Sequence, residues 1–231
     1  MYTSYQFKTI LCVNQLVQSP ACRSDYHVKA VLRPERKPMS HSTNSEAAIE
    51  NPREQSHARY QSLAITAVFI AMTYVFTWLV NIRLPLAGTG GLIHLGNVPL
   101  FLAALLFGKK TGALAGGIGM GLYDLTSGWG AWAPFTFVIV ALMGYAAGLF
   151  AEKRPIRSRF GNALAAILTA LAIKIVGYYF AEVILTGNFV APLGSIPGNV
   201  LQVSIAGVIV LLILPELRKG ARHLFGSLVV T

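Results

Sequence analysis

The scarcity of acidic residues constrains this chain more than any other feature. From Arg59 to Thr231 only four acids occur: Asp124, Glu152, Glu182 and Glu216. Among them lie six apolar runs, at roughly residues 60–80, 92–108, 111–127, 133–151, 162–186 and 197–215. Each approaches or exceeds the length that a bilayer core about 30 Å thick requires. Charged residues make up 12% of the chain and hydrophobic ones 54%, whereas a soluble domain carries about a quarter charged residues. The pattern predicts an all-α integral membrane protein with six transmembrane helices. The second and third runs are short and are joined by Gly108, Lys109 and Lys110, which predicts a tight helical hairpin.

Residues 1–58 differ in kind. They hold 7 of the 19 Lys and Arg and 5 of the 9 Asp and Glu, with no sustained hydrophobic period. They read as a disordered N-terminal extension ahead of a membrane domain over 59–231, and Met39 opens a polar lead-in that would serve as an alternative start. Cys12 and Cys22 both fall in this arm and have no metal-ligand spacing, so neither a zinc site nor a disulfide framework is expected. The net charge of +10 could suggest nucleic acid. A nucleic-acid binder, however, gathers its cations on one face, whereas these occupy short connections between apolar runs. Lys109 and Lys110, then Lys153, Arg154, Arg157 and Arg159, fill the even-numbered connections. Arg53 and Arg59 precede the first run and Arg218, Lys219 and Arg222 follow the last, while the odd connections hold Arg83 alone. By the positive-inside rule, both termini are cytoplasmic.

That orientation assigns a depth to every polar residue. His94 and Asn97 open the second helix and Asp124 closes the third. Trp129 and Trp132 precede the fourth, Glu182 lies near the end of the fifth, and Asn199 and Gln202 open the sixth. All fall in the outer third of the bilayer, with Lys174 deeper on the helical face that also carries Tyr178 and Glu182. Polar groups at membrane depth turn to protein or to a wet cavity, so these residues are candidates for an outward-facing ligand pocket with aromatic walls. Each also has a plainer reading. The tryptophans suit an interfacial belt, Asn199 a helix cap and Asp124 a turn that satisfies backbone donors. His94 suits a packed, hydrogen-bonded position, and Lys174 a structural charge partner.

Gly112, Gly116, Gly117, Gly119 and Gly121 give the third helix small-xxx-small spacing, which favours close helix packing, and Ala67 and Ala71 form a smaller patch of that kind on the first helix. No Walker motif, HExxH pair or nucleophile elbow is present. ATP hydrolysis and metal catalysis by this chain are therefore not expected, and no cofactor is implied. An intramembrane hydrolase using Ser127 with His94 is the weaker alternative of another class.

The segment 90–148 carries "HLG", "FG-K--GA-AG-IG", "D--SG", "WAPFT" and "MGY--G". In these motifs, and in its layout, the chain resembles the substrate-binding S components of bacterial energy-coupling factor (ECF) vitamin transporters. The resemblance implies six helices with cytoplasmic termini in the bacterial plasma membrane. It also implies capture of a B vitamin or precursor, and uptake powered by a membrane scaffold subunit with two cytoplasmic ATPases. Ala67 and Ala71 match the family's scaffold-docking motif, and the loop after the first helix its lid, for which Gly88, Gly90 and Gly91 would be the hinge. The local wording is most similar to pyridoxine or hydroxymethylpyrimidine members, with pantothenate and riboflavin as alternatives. The arm before residue 59 departs from the family pattern.

Overall fold

The computed structural model describes residues 52–83 and 92–230. The N-terminal arm through residue 51, including Cys12, Cys22 and Met39, and the hinge glycines Gly88, Gly90 and Gly91 lie outside the described residues. Six α-helices follow one another: α1 Pro52–Leu79, α2 Asn97–Phe107, α3 Lys109–Thr126, α4 Ala133–Lys153, α5 Arg159–Thr186 and α6 Ile196–Phe225. Between α1 and α2 two short strands, β1 Asn81–Arg83 and β2 Leu92–His94, pair antiparallel with Asn81 opposite His94. This hairpin was not anticipated, since three residues per strand leave no legible alternation.

Four of the helices (α1, α4, α5 and α6) are long and apolar enough to cross a membrane. Their outward faces carry exposed Val68, Val138, Leu142, Leu168, Val176 and Leu212. Apolar surface on that scale is what a lipid-facing helix presents. The short helix α2 is different: every residue from Asn97 to Leu106 is buried. At 1.5 Å per residue its 11 residues reach about 17 Å, roughly half the hydrocarbon thickness. It is a core helix enclosed by the others, and its Leu100, Phe101 and Leu105 share one cluster with Val140, Met143, Val203 and Val210.

A buried helix end must satisfy its last carbonyls within the protein. In α2 the Gly108 amide donates to Ala104, the Arg218 guanidinium to Leu105 at 3.0 Å, and the Val230 amide to Leu106 at 2.8 Å. Gly108 then reverses the chain into α3 at φ +89°, a conformation suited to glycine. The expected α2–α3 hairpin is therefore present.

The helix bounds differ from expectation at both ends of the chain. α1 begins at Pro52, so its first turns take in residues assigned to the polar arm; proline is well suited to a first helical position. α6 continues past Pro215 to Phe225. Pro215 has no amide to donate to the Leu211 carbonyl, yet one missing bond does not end a helix whose next residues, Glu216 to Phe225, are good helix formers in the main. Pro99 lies in the first turn of α2, where its amide would have no partner in any case.

α3 serves as the packing hub. A methyl on Gly112 would meet the backbone of Ala104 and, at 2.8 Å, the Gly144 carbonyl, while one on Gly119 would meet the Ile70 carbonyl at 2.9 Å. The glycine stripe therefore admits α2, α4 and α1 at backbone distance, the packing role expected of it.

Candidate functional site

The candidate residues gather where β2 meets the helices. In α5, Lys174 and Tyr178 are one turn apart, and the ammonium stands 5.4 Å from the Tyr178 ring centroid. Lys174 Nζ donates to Gln202 Oε1 on α6 at 2.9 Å, and Gln202 Nε2 donates to the His94 carbonyl at 3.1 Å. One amide thus links α5, α6 and the hairpin, with Lys174 and Gln202 both buried. Burial of an ammonium needs such an acceptor, because the desolvated charge is otherwise costly.

A second chain of contacts runs through α4. The Tyr178 hydroxyl and Thr136 Oγ1 are 3.1 Å apart, and Asp124 at the end of α3 interacts electrostatically with both Thr136 and Lys174. Trp132, which precedes α4, stacks obliquely on Tyr178 with ring centroids 6.4 Å apart. Lys174, Gln202, His94, Tyr178, Trp132 and Asp124 are thus brought together from five elements, as a set of aromatic and polar groups.

The other candidates stand at different places. Glu182 is buried and accepts from Ser195 Oγ at 2.9 Å, tying α5 to the 3₁₀ turn Ala191–Ser195 before α6. Asn199 is half-buried inside α6 and does not cap it, because the helix begins at Ile196 behind Ser195. Trp129 is half-buried in the α3–α4 turn, where its amide donates to the Asp124 carbonyl. The carbonyl of Asp124, not its carboxylate, makes that turn bond. His94 Nδ1 accepts from the Gly96 amide at 3.3 Å, and Ser127 Oγ donates to the Tyr123 carbonyl at 2.6 Å. Each half of the alternative Ser127–His94 pair is therefore engaged within its own turn.

Asn97 is the outlier. It is fully buried at the start of α2, and neither its Oδ1 nor its Nδ2 has a hydrogen-bond partner among the described residues. An unsatisfied buried amide costs about 1–3 kcal/mol. Thr136 belongs to the network, and Ser195 to the Glu182 tie, although neither was singled out from the sequence. For Thr136 a signal existed: it follows Trp132 by one helical turn in "WAPFT". Asn81 on β1 also bonds the Tyr123 hydroxyl, which anchors the hairpin to α3. Among the described residues, no three His, Cys, Asp or Glu side chains group as metal ligands.

On α1, Thr73 and Thr77 are buried while Ala67 and Ala71 are exposed on another face. Among the described residues, the small patch is thus left uncovered.

Residues 58–219 match the family described as ECF-type riboflavin transporter, S component. Over 159 residues, 69% of this chain and 89% of its relative, the chain is 28% identical to the thiamine precursor transporter HmpT of Lactococcus lactis subsp. cremoris. Over 106 residues it is 30% identical to an uncharacterised protein in the gap 3' region of Pyrococcus woesei, covering 46% of this chain and 69% of that one. With the long apolar helices, these matches identify the chain as a member of the ECF-type riboflavin transporter S-component family, a multi-pass protein of the bacterial plasma membrane that acts in vitamin transport.

Proposed function

We propose that the chain captures a small heteroaromatic vitamin precursor, hydroxymethylpyrimidine or pyridoxine, at the β2 end of the bundle. As an S component it would release this cargo through a scaffold subunit driven by two ATPases. All six helices lie within the membrane region in this reading, α2 and α3 as a short hairpin, with both termini cytoplasmic. The ligand site then faces outward, and the segment between β1 and β2 closes over it with Gly88, Gly90 and Gly91 as hinge.

The observation that carries the reading is Asn97. A carboxamide pairs a donor with an acceptor, which is the complement of an aminopyrimidine edge, where a ring nitrogen stands beside an amino group. Trp132 and Tyr178 supply a stacking wall, and Asp124, His94 and Lys174 polar fixing points. Trp129, Glu182, Asn199 and Gln202 complete or brace the rim. The thiamine precursor transporter among the relatives supports this choice.

Riboflavin is the second reading, favoured by the description of the matching family, and its pyrimidinedione edge would also pair with a carboxamide. Pantothenate fits less well. Its carboxylate would have to share Lys174 with the like-charged carboxylate of Asp124.

Calorimetric titration of the purified chain in detergent with hydroxymethylpyrimidine, pyridoxine, riboflavin and pantothenate tests the proposal. Saturable binding of either of the first two is expected at the lowest concentration. Binding of riboflavin alone would replace the substrate, and no saturable heat from any of the four would overturn the capture reading.

A further inference from the structure

At the other end of α5 and α6 the structure holds a groove that vitamin capture does not use. Arg159 and Lys174 are separated by 15 residues of α5, so the groove lies about 22 Å along that helix from the site. Its volume is about 320 Å³, and Arg159, Arg218, Lys219 and Arg222 stand around it. The floor is apolar, formed by Ala163, Leu211 and Leu214, with the exposed ring of Phe160 at its edge.

The charges there are unbalanced. Two acids at this end are already engaged, Glu152 by Lys109 at 2.8 Å and Glu216 by Lys219 at 2.7 Å. Arg159, Arg222 and Arg154 all bear electrostatically on Arg218. Arg218 is fixed by its bond to the Leu105 carbonyl, while Nε of Arg218 and Nε of Arg222 are buried without a hydrogen-bond partner among the described residues. Loop cations that only set topology would spread into water. Here guanidinium groups converge on an apolar trough with donors left over, and guanidinium groups pair well with phosphate oxygens.

We propose that this groove binds an anionic glycerophospholipid, its phosphate among Arg159, Arg218 and Arg222 and an acyl chain along Leu211, Leu214 and Ala163. Basic pockets between membrane helices on the cytoplasmic side recognise lipid headgroups in this way. The placement in the cytoplasmic leaflet rests on the orientation proposed above; the binding chemistry does not. An occupied groove would brace the α5–α6 end against the buried end of α2, because Arg218 contacts both.

The test uses the full chain in neutral detergent, with melting followed as dioleoylphosphatidylglycerol, dioleoylphosphatidylcholine or sodium phosphate is added. Phosphatidylglycerol is expected to raise the melting temperature saturably and phosphatidylcholine to leave it unchanged. The double variant Arg159→Gln/Arg222→Gln should weaken the phosphatidylglycerol effect by at least about tenfold in concentration. Lys153→Gln/Arg157→Gln, which removes two charges from exposed positions, should not weaken it. An equal loss in that pair would reduce the effect to diffuse attraction and overturn the site. A matching effect of inorganic phosphate would make it a free-anion site and overturn the lipid.

Should the double variant not fold, Phe160→Trp supplies a second readout. Its added fluorescence should be quenched at a lower mole fraction of phosphatidylglycerol with dibrominated chains than of the phosphatidylcholine analogue, and equal quenching overturns the proposal. Orientation is read separately, by maleimide labelling of Arg157→Cys in intact cells on a background lacking Cys12 and Cys22. Labelling from outside would move the site to the other leaflet without touching the detergent result.

Discussion

Two residues of the cluster illustrate opposite ways of treating a buried polar group. Gln202 uses both ends of its amide, accepting from Lys174 and donating to the His94 carbonyl, and so makes a buried ammonium tolerable. Asn97 uses neither end among the described residues. A structural asparagine at that position would be poorly chosen, since an apolar side chain of similar volume would remove two unsatisfied groups. Asn97→Leu is therefore expected to leave the melting temperature in detergent unchanged or raised, a gain of up to about 1–3 kcal/mol. Under the proposed role the same variant loses at least about tenfold in ligand affinity by calorimetry. A destabilised Asn97→Leu protein with unaltered affinity would show Asn97 to be structural and remove it from the site.

The helices show what can be read locally and what cannot. The six apolar runs were legible because hydropathy and charge are properties of a single segment. So was the face shared by Lys174 and Tyr178, because helical spacing alone sets it. The glycine stripe of α3 announced close packing, though not its partners. Pairings across helices were not legible. Gln202 finds His94 across 108 residues, and Thr136 finds Tyr178 across 42, only because α4, α5 and α6 pack in one register. No local pattern encodes that register. The expected depth of the polar residues came from loop charge alone, while the Glu182–Ser195 tie and the unpartnered amide of Asn97 among the described residues required the assembled bundle.

The packing of α3 on α4 also carries a prediction of its own. A methyl on Gly144 would fall on the Gly112 backbone, which cannot move without shifting a helix, whereas one on Gly130 would meet nothing within 4 Å. Gly144→Ala is expected to lower stability by about 1–3 kcal/mol, and Gly130→Ala to stay within about 0.5 kcal/mol of the parent. Thermal melting of both variants in one detergent checks the contrast. Equal effects would mean that α3 and α4 are not held at backbone distance.

At the scale of the whole bundle, the described residues form two ends with different chemistry and leave one side uncovered. The β2 end gathers the aromatic and polar cluster, the far end gathers guanidinium groups around an apolar groove, and α1 exposes Ala67 and Ala71. The other face of α1 is engaged with α3, where Gly119 meets Ile70 and Thr73. This division makes the alanine patch separable from both folding and ligand capture. Small residues let a second helix approach closely, and a branched side chain there holds it away. Ala71→Leu is thus expected to melt within about 0.5 kcal/mol of the parent and to bind ligand with unchanged affinity. Under the proposed S-component role, its co-purification with a scaffold and ATPase subunits, and vitamin uptake by cells that depend on them, should both fall. A parallel substitution on another exposed face, Val176→Leu on α5, should leave uptake unaltered. If Ala71→Leu sustains full uptake while Val176→Leu does not, the docking surface lies on α5 and not on α1.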